Sequence, residues 1–202
     1  MVQTGMNELT TEKYKKYISK QKVKTLDPEK QKKWLGVEWK EKLDGFTEIF
    51  KQYEDTFDKK GKCVCLASRT GQEVASLIEL GFEDSIGIDI VPFEPYTIEG
   101  DFHNLPFEDE SVSLIYTNAV DHVFEPELWS KEINRVLKKD GYVLLNMLVK
   151  DINAHDEYSV FKPTNTLSEL LEPYFNGFYC EKNEYIPKNV HAMDWEILLR
   201  KQ

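Results

Sequence analysis

The chain has 202 residues, 41% hydrophobic and 12% aromatic, which suits one globular domain with a full core and excludes a disordered chain or two comfortable domains. Its net charge of −10 is uneven: residues 1–62 hold 15 lysines against 11 acids, whereas residues 63–202 hold 11 basic residues against 25 acids. The acidic part would repel a phosphate backbone, which argues against nucleic acid and leaves a small molecule or a cationic group, unless the acidity serves solubility alone.

The opening stretch, MVQTGMNELTTEKYKK, has no apolar run, so neither a signal peptide nor a membrane anchor is expected there, and no later stretch is apolar enough to span a bilayer. Thr10 or Thr11 can cap a polar helix around Glu12–Lys20. Asp27-Pro28-Glu29 is a strong helix start, with Asp at the N-cap and Pro in the first turn. After it Trp34, Leu35, Trp39, Leu43, Phe46, Ile49, Phe50 and Tyr53 recur at spacings of three and four, the apolar stripe of one helix. Trp34, Trp39 and Phe46 can be read as an aromatic lid or, the preferred reading, as packing of this helix onto a sheet.

From Lys62 the period changes. Cys63–Ala67 is a short apolar run of the kind found in buried parallel strands. Gly71–Leu80 has a helix pattern ended by Gly81, and Ser85–Ile90 is a second strand. Tyr96–Glu99 is a weak third strand and Ser113–Thr117 a fourth. Pro126–Lys138 is helical, Asp140-Gly141 is a turn, and Tyr142–Leu148 is a fifth strand. Thr166-Leu-Ser-Glu169 is a capping box for a helix through Phe175. Gly177–Tyr185 and Ala192–Arg200 are two late strands, expected to pair antiparallel. Cys63, Cys65 and Cys180 form no disulfide framework, and without paired spacing they read as buried small hydrophobes rather than metal ligands; no metal site is expected, and a reducing cytoplasm fits.

Strands alternating with helices imply an α/β fold with a doubly wound, mostly parallel seven-stranded sheet, an antiparallel last strand and an N-terminal helical extension. Ligands of such sheets bind at the carboxyl ends of the strands, here just after Ala67, Ile90, Glu99, Thr117 and Leu148. The turn Ala67-Ser68-Arg69-Thr70-Gly71 aims backbone N–H groups above the sheet, and Gly71 lets the chain turn tightly into the next helix. Asp89, followed by Ile90, ends the second strand about 20 residues later, where an acid either accepts from ribose hydroxyls or simply stands at a strand end.

The stretch GDFHNLPFEDESVSLIYTNAVDHVFEPELWSKEINRVLKKDGYVLL resembles the central block of the methyltransferase type 11 family, a branch of the class I S-adenosylmethionine-dependent methyltransferases with a Rossmann-like fold. The resemblance covers about residues 61–148. It implies S-adenosylmethionine as cofactor and S-adenosylhomocysteine as product. It also implies ribose binding by Asp89, an adenine wall from Asp101 and Phe102 with His103 beside it, and Asn118 next to the methionine part. The division it suggests is an N-terminal helical extension or lid over residues 1–60 and the methyltransferase domain over residues 61–202.

The first turn departs from the family. Where an acid and a Gly-x-Gly-x-Gly run usually stand, this chain has Cys65, Ala67, Arg69 and Gly71. The lost acid removes a common partner for the cofactor's ammonium group. Arg69 instead offers a guanidinium that can pair bidentately with the methionine carboxylate, or that merely faces solvent. The stretch between Ile90 and Tyr96 contains Pro92 and Pro95 and leaves little room for a crossover helix, so that edge is open or covered by the N-terminal helices.

Methyl transfer from a sulfonium is an in-line displacement that needs alignment, and a hydroxyl nucleophile gains from a base. His122, next to Asp121 after the fourth strand, is the candidate base; the alternative is a histidine packed under the following helix. His155, Tyr158 and Phe161 fall in a segment that often walls the substrate in this fold, and His191 reads as structural. The Asn-Pro-Pro-Tyr tetrad of amino-methylating relatives is absent, since Asn118-Ala119-Val120-Asp121 stands there. The expected function is therefore S-adenosylmethionine-dependent methyl transfer to a small-molecule acceptor, for example a hydroxyl, with O-, N- and C-methylation left open. The competing expectation is a non-catalytic cofactor-binding or scaffold protein that kept the fold with a degenerate first turn; a different dinucleotide enzyme is disfavoured.

Overall fold

The computed structural model describes residues 8–148, 173–187 and 193–202. The expected positions of His155, Tyr158, Phe161 and His191, and most of the helix expected from Thr166, lie outside those residues.

Three helices lead the chain: α1 (Glu8–Leu26), α2 (Pro28–Leu35) and α3 (Val37–Lys51). Asp27 caps α2 as its sequence demands, its Oδ1 accepting from the N–H groups of Glu29 at 2.9 Å and Lys30 at 3.2 Å. The single apolar stripe turns out to belong to two helices, because the chain breaks at Gly36. Trp34, Phe46, Ile49, Phe50 and Tyr53 of that stripe are buried, whereas Leu35 lies at the surface.

Seven strands then form one sheet in the order β3-β2-β1-β4-β5-β7-β6. They are β1 (Lys62–Leu66), β2 (Ser85–Asp89), β3 (Thr97–Glu99), β4 (Val112–Thr117), β5 (Leu137–Met147), β6 (Phe178–Tyr185) and β7 (Trp195–Lys201), with α4 (Gln72–Glu79) after β1 and α5 (Pro126–Val136) after β4. The first five strands run parallel, and β7 lies antiparallel between β5 and β6. The doubly wound, mostly parallel fold and its antiparallel ending are as the element order implies.

Two boundaries differ from expectation. The helix after β4 stops at Val136, and Leu137 already pairs with Val112, so β5 begins before the Asp140-Gly141 pair. Asp140 takes a left-handed φ of 61° inside the strand, so a sequence that reads as a turn is an irregularity within one long strand. Between β2 and β3 no crossover helix intervenes; the Tyr96 ring meets the Trp39 ring at 5.6 Å, and the N-terminal helices cover this edge.

Strand alternation divides the core. Val64, Leu66, Ile115, Val143, Leu145 and Ile197 face α5, with its Trp129 and Ile133. Cys63, Cys65, Leu114, Tyr116, Leu144 and Leu198 face Phe46, Ile49 and Phe50 of α3 and Val74 and Leu77 of α4. The two strand cysteines thus share a face, and burial pushes the Cys63 thiol up to about 12, as befits packing residues rather than ligands. No group of three His, Cys, Asp or Glu side chains among the described residues could hold a metal ion. No described helix is long and apolar enough to cross a membrane.

A buried polar cluster joins the end of the helical extension to the far half of the sheet. Glu196 Oε1 accepts from Tyr53 Oη at 2.6 Å and from Lys182 Nζ at 2.8 Å, while its Oε2 accepts from Asn146 Nδ2 at 2.9 Å. Tyr116 Oη completes the cluster by donating to Asn146 Oδ1 at 3.1 Å. Each carboxylate oxygen has a donor, which is the condition for burying this acid.

Candidate functional site

Four chain segments meet at the carboxyl ends of the parallel strands: the turn after β1, Asp89 and Ile90 after β2, Gly100–Phe102 after β3, and Asn118–His122 after β4. They enclose a cavity of about 230 Å³, and α1 supplies the opposite wall.

The first turn keeps a glycine-like path without the glycines. Ala67 has φ 55°, Arg69 φ 43° and Gly71 φ 81°, all left-handed. Only Gly71 adopts this without cost, and it is doubly required, since an added Cβ would stand 2.3 Å from Tyr96 Cβ. The other two pay for the conformation with local strain. Asp89 holds the turn: its Oδ2 accepts from Arg69 N–H at 2.8 Å and its Oδ1 from Val91 N–H at 3.0 Å. Burial nevertheless pushes the Asp89 carboxyl above its usual range, against these hydrogen bonds. The Arg69 guanidinium lies over the Trp34 ring at 4.6 Å and lines the cavity.

Glu73, in the first turn of α4, is 5% exposed. Burial, reinforced by the Asp89 charge and opposed by its own backbone N–H, Arg69 and Lys42, pushes its carboxyl up to about 8. It lies beneath the first turn rather than in the cavity wall.

On the β3 side, Asp101 Oδ1 accepts from His103 N–H and from His103 Nδ1, both at 2.9 Å. His103 Nε2 then serves as acceptor for the N–H groups of Phe124 and Glu125, both at 3.3 Å, which orients the ring with Nδ1 toward Asp101. Burial works against the Asp101 charge, but hydrogen bonds from His103 and from the Tyr14 hydroxyl hold it below the usual carboxylate range. His103 is therefore a buried tie between β3, α5 and α1, and it does not line the cavity.

After β4, Thr117 Oγ1 donates to Leu66 O at 3.2 Å and accepts from Ala119 N–H at 3.1 Å, locking the β1 and β4 ends together and fixing Asn118 between them. A single 3-10 turn, Val120–His122, follows. His122 lines the cavity with its ring 5.8 Å from that of Tyr17, and its Nε2 stands 3.9 Å from Asp121 Oδ2.

Of the residues singled out in the sequence, Ala67, Arg69, Asp89, Ile90, Asp101, Phe102, Asn118 and His122 line this one cavity. Ser68, Gly71, His103 and Asp121 do not line it. The extension expected as a possible lid supplies a wall through α1, but sequence reasoning names none of the residues that form it, Tyr14, Tyr17, Ile18, Gln21 and Thr25. They recur at spacings of three and four, but the face is aromatic and polar rather than aliphatic, which does not distinguish it from a solvated face. Trp34 reaches the site only through Arg69, and Phe46 is core.

Residues 64–145 match the family described as Methyltransferase domain. A comparison with curated proteins yields no match. Among solved structures, the PH0226 protein of Pyrococcus horikoshii is similar at 17% identity and TM-score 0.64, covering 83% of this chain and 92% of that one. A SAM dependent methyltransferase from Aquifex aeolicus is 14% identical with TM-score 0.55, over 77% of this chain and 98% of that one. A structure from Thermotoga maritima, described as a SAM-dependent methyltransferase and possible histamine N-methyltransferase, is 18% identical with TM-score 0.58, over 88% and 96%. These likenesses carry the fold, and the matched segment runs from β1 into β5 and includes the ends of β1, β2, β3 and β4 that build the cavity.

Proposed function

We propose that this chain is a class I S-adenosylmethionine-dependent methyltransferase, a reading supported by its methyltransferase-domain match over residues 64–145, and that it transfers a methyl group to the hydroxyl of a small molecule. The observation that carries this reading is one cavity lined together by a carboxylate, a guanidinium, an amide and an imidazole (Asp89, Arg69, Asn118 and His122) and by α1 on the opposite wall.

The donor set fits an amino acid joined to a nucleoside. Each Asp89 oxygen accepts one backbone N–H and keeps lone-pair capacity for ribose hydroxyls. Arg69, pre-set over Trp34, would pair with the methionine carboxylate, with Ala67 and Asn118 beside it. Asp101, Phe102 and Ile90 would wall the adenine. Bound there, the cofactor supplies an electrophilic methyl group on a sulfonium.

The chain's part is to align the acceptor, exclude water and remove a proton. His122 takes the hydroxyl proton at a ring nitrogen, and Asp121, across 3.9 Å, stabilises the resulting imidazolium as a positioning residue. A small acceptor suits a cavity roofed by α1, and the acidic surface disfavours nucleic acid.

Calorimetry with S-adenosylhomocysteine, followed by methyl transfer to a panel of small hydroxyl compounds, tests the reading. Binding and turnover are expected, with kcat lowered about 10²–10⁴-fold in His122→Ala. No binding at millimolar ligand would overturn the assignment, and tight binding without turnover on the panel would favour a cofactor-binding scaffold.

A further inference from the structure

Helix α1 is a polar helix with one inward face, on which Tyr14, Tyr17, Gln21 and Thr25 are buried. Three contacts seat it. The Tyr14 ring meets the His103 ring edge-on at 5.2 Å, Tyr17 packs on Phe124 at 4.9 Å, and Lys22 Nζ lies 3.6 Å from Glu99 Oε1 at the end of β3. Tyr14 and Tyr17 thus stand against His103, Phe124 and His122, and the next turn of the helix reaches Glu99 at the end of β3. Gln21 lies one turn beyond Tyr17 and next to Lys22, toward the half of the cavity that ends in Asp89 and Gly100.

Gln21 is 6% exposed, lines the cavity, and its Nε2 has no hydrogen-bond partner. A buried amide donor left unsatisfied is destabilising unless something completes it. The cavity is also tight. At about 230 Å³ it falls below the roughly 300–1,000 Å³ of common small-molecule sites, and α1 forms one of its walls, so a ligand that fills it lies against α1.

We propose that Gln21 is a cofactor-binding residue, its side-chain amide donating a hydrogen bond to a ribose hydroxyl oxygen of the bound cofactor from the wall opposite Asp89. This rests on the cofactor reading of the preceding section and adds a contact from the helical extension. The chemistry is complementary. A ribose hydroxyl is both donor and acceptor; the Asp89 carboxylate can only accept, and the Gln21 amide N–H can only donate. Two walls of the cavity thus read the two halves of one diol. The extension then belongs to the cofactor site itself, and the latch through Tyr14, His103 and Asp101 sets where the Gln21 amide stands.

The test uses the full chain, Gln21→Leu, and two ligands: S-adenosylhomocysteine and its analogue lacking both ribose hydroxyls. Gln21→Leu should bind S-adenosylhomocysteine about five- to tenfold more weakly, the size of one lost hydrogen bond. It should bind the analogue as the parent chain does. Its unliganded melting temperature should be unchanged or higher, since the removed donor makes no internal bond. Equal affinity of both chains for S-adenosylhomocysteine would overturn the proposal. So would an equal loss for both ligands with a lowered melting temperature, which marks a structural glutamine. If the parent chain binds neither ligand, the cofactor reading falls and takes this contact with it, an outcome separable from the other two because it does not involve the variant.

Discussion

The backbone N–H of Arg69 donates to Asp89 Oδ2 across 2.8 Å, joining the turn after β1 to the end of the neighbouring strand. The second oxygen of the same carboxylate receives Val91 N–H at 3.0 Å, so Asp89 organises two loops at once. An acid that would only need to face a ligand is here also a structural tie, which explains its burial despite its charge.

Replacing Asp89 therefore has two consequences. Asp89→Ala should lower stability by about 1–3 kcal/mol, because two N–H groups lose a charged acceptor, and should abolish measurable S-adenosylhomocysteine binding. Asp89→Asn keeps one carbonyl acceptor, so it should recover part of the stability and less of the affinity. Urea denaturation and calorimetry on the two variants would separate the roles; equal stability of Asp89→Ala and the parent would show that the tie carries no weight.

The left-handed conformations of Ala67 and Arg69 lead to a second expectation. Ala67→Gly removes a Cβ from a φ of 55° and should stabilise the chain by about 1 kcal/mol, the strain relieved outweighing the entropy glycine loses on folding. Arg69→Gly relieves the same strain but forfeits the guanidinium over Trp34, so its stability should change less while cofactor affinity falls. Arg69→Ala keeps the strain and loses the guanidinium, and should be the least stable of the three. Denaturation midpoints in that order check the argument; a destabilised Ala67→Gly contradicts it.

What the sequence made legible follows from locality. The alternation at Cys63 and Cys65 is a period of two within one strand, and it correctly puts both thiols on one face. The Asp27 cap is likewise decided by neighbours in the chain. Gly36 was harder to read, because spacings of three and four continue through it from Trp34 to Phe46 while the backbone breaks. Asp140-Gly141 carries turn chemistry, yet pairing on β4 at Leu137 before it and Tyr142 after it keeps the segment as an irregularity within one strand. The site was half legible for the same reason. Asp89, Asp101 and Asn118 sit at strand ends that the element order locates, whereas the contact of Arg69 with Trp34 and the seat of α1 over His122 join distant parts of the chain and carry no local signal.

Glu73 gives a pH dependence with a definite sign. Its carboxyl titrates at about 8 in the folded chain against 4.5 for the ordinary group, mainly through burial and then through Asp89, with Arg69 and Lys42 opposing. Between those values the folded chain binds the extra proton, so the stability contribution is full below pH 4.5 and is lost as pH rises through 8. The slope from this group approaches about 1.4 kcal/mol per pH unit inside the window. Glu73→Gln mimics the neutral form and should flatten that slope, becoming more stable than the parent at the alkaline end. Parallel melting curves for parent and variant from pH 5 to pH 8.5 would contradict it.

Glu196 tests the far side of the sheet. Its oxygens receive Tyr53, Lys182 and Asn146, and its side chain faces the α3 layer, away from the cavity. Glu196→Ala leaves Lys182 without its main counter-ion and three donors without an acceptor, and should cost about 3 kcal/mol, the partial exposure of Lys182 keeping the loss at the low end for a broken buried pair. Glu196→Gln keeps the shape and one acceptor and should cost about half as much. Because the cluster binds the end of the helical extension to β6 and β7 and touches no cavity residue, both folded variants should bind S-adenosylhomocysteine as the parent does below their melting temperatures. Denaturation paired with calorimetry measures both quantities. A loss of affinity with full stability would place Glu196 in communication with the site, whereas a loss of stability with full affinity assigns the cluster to holding the extension on the sheet.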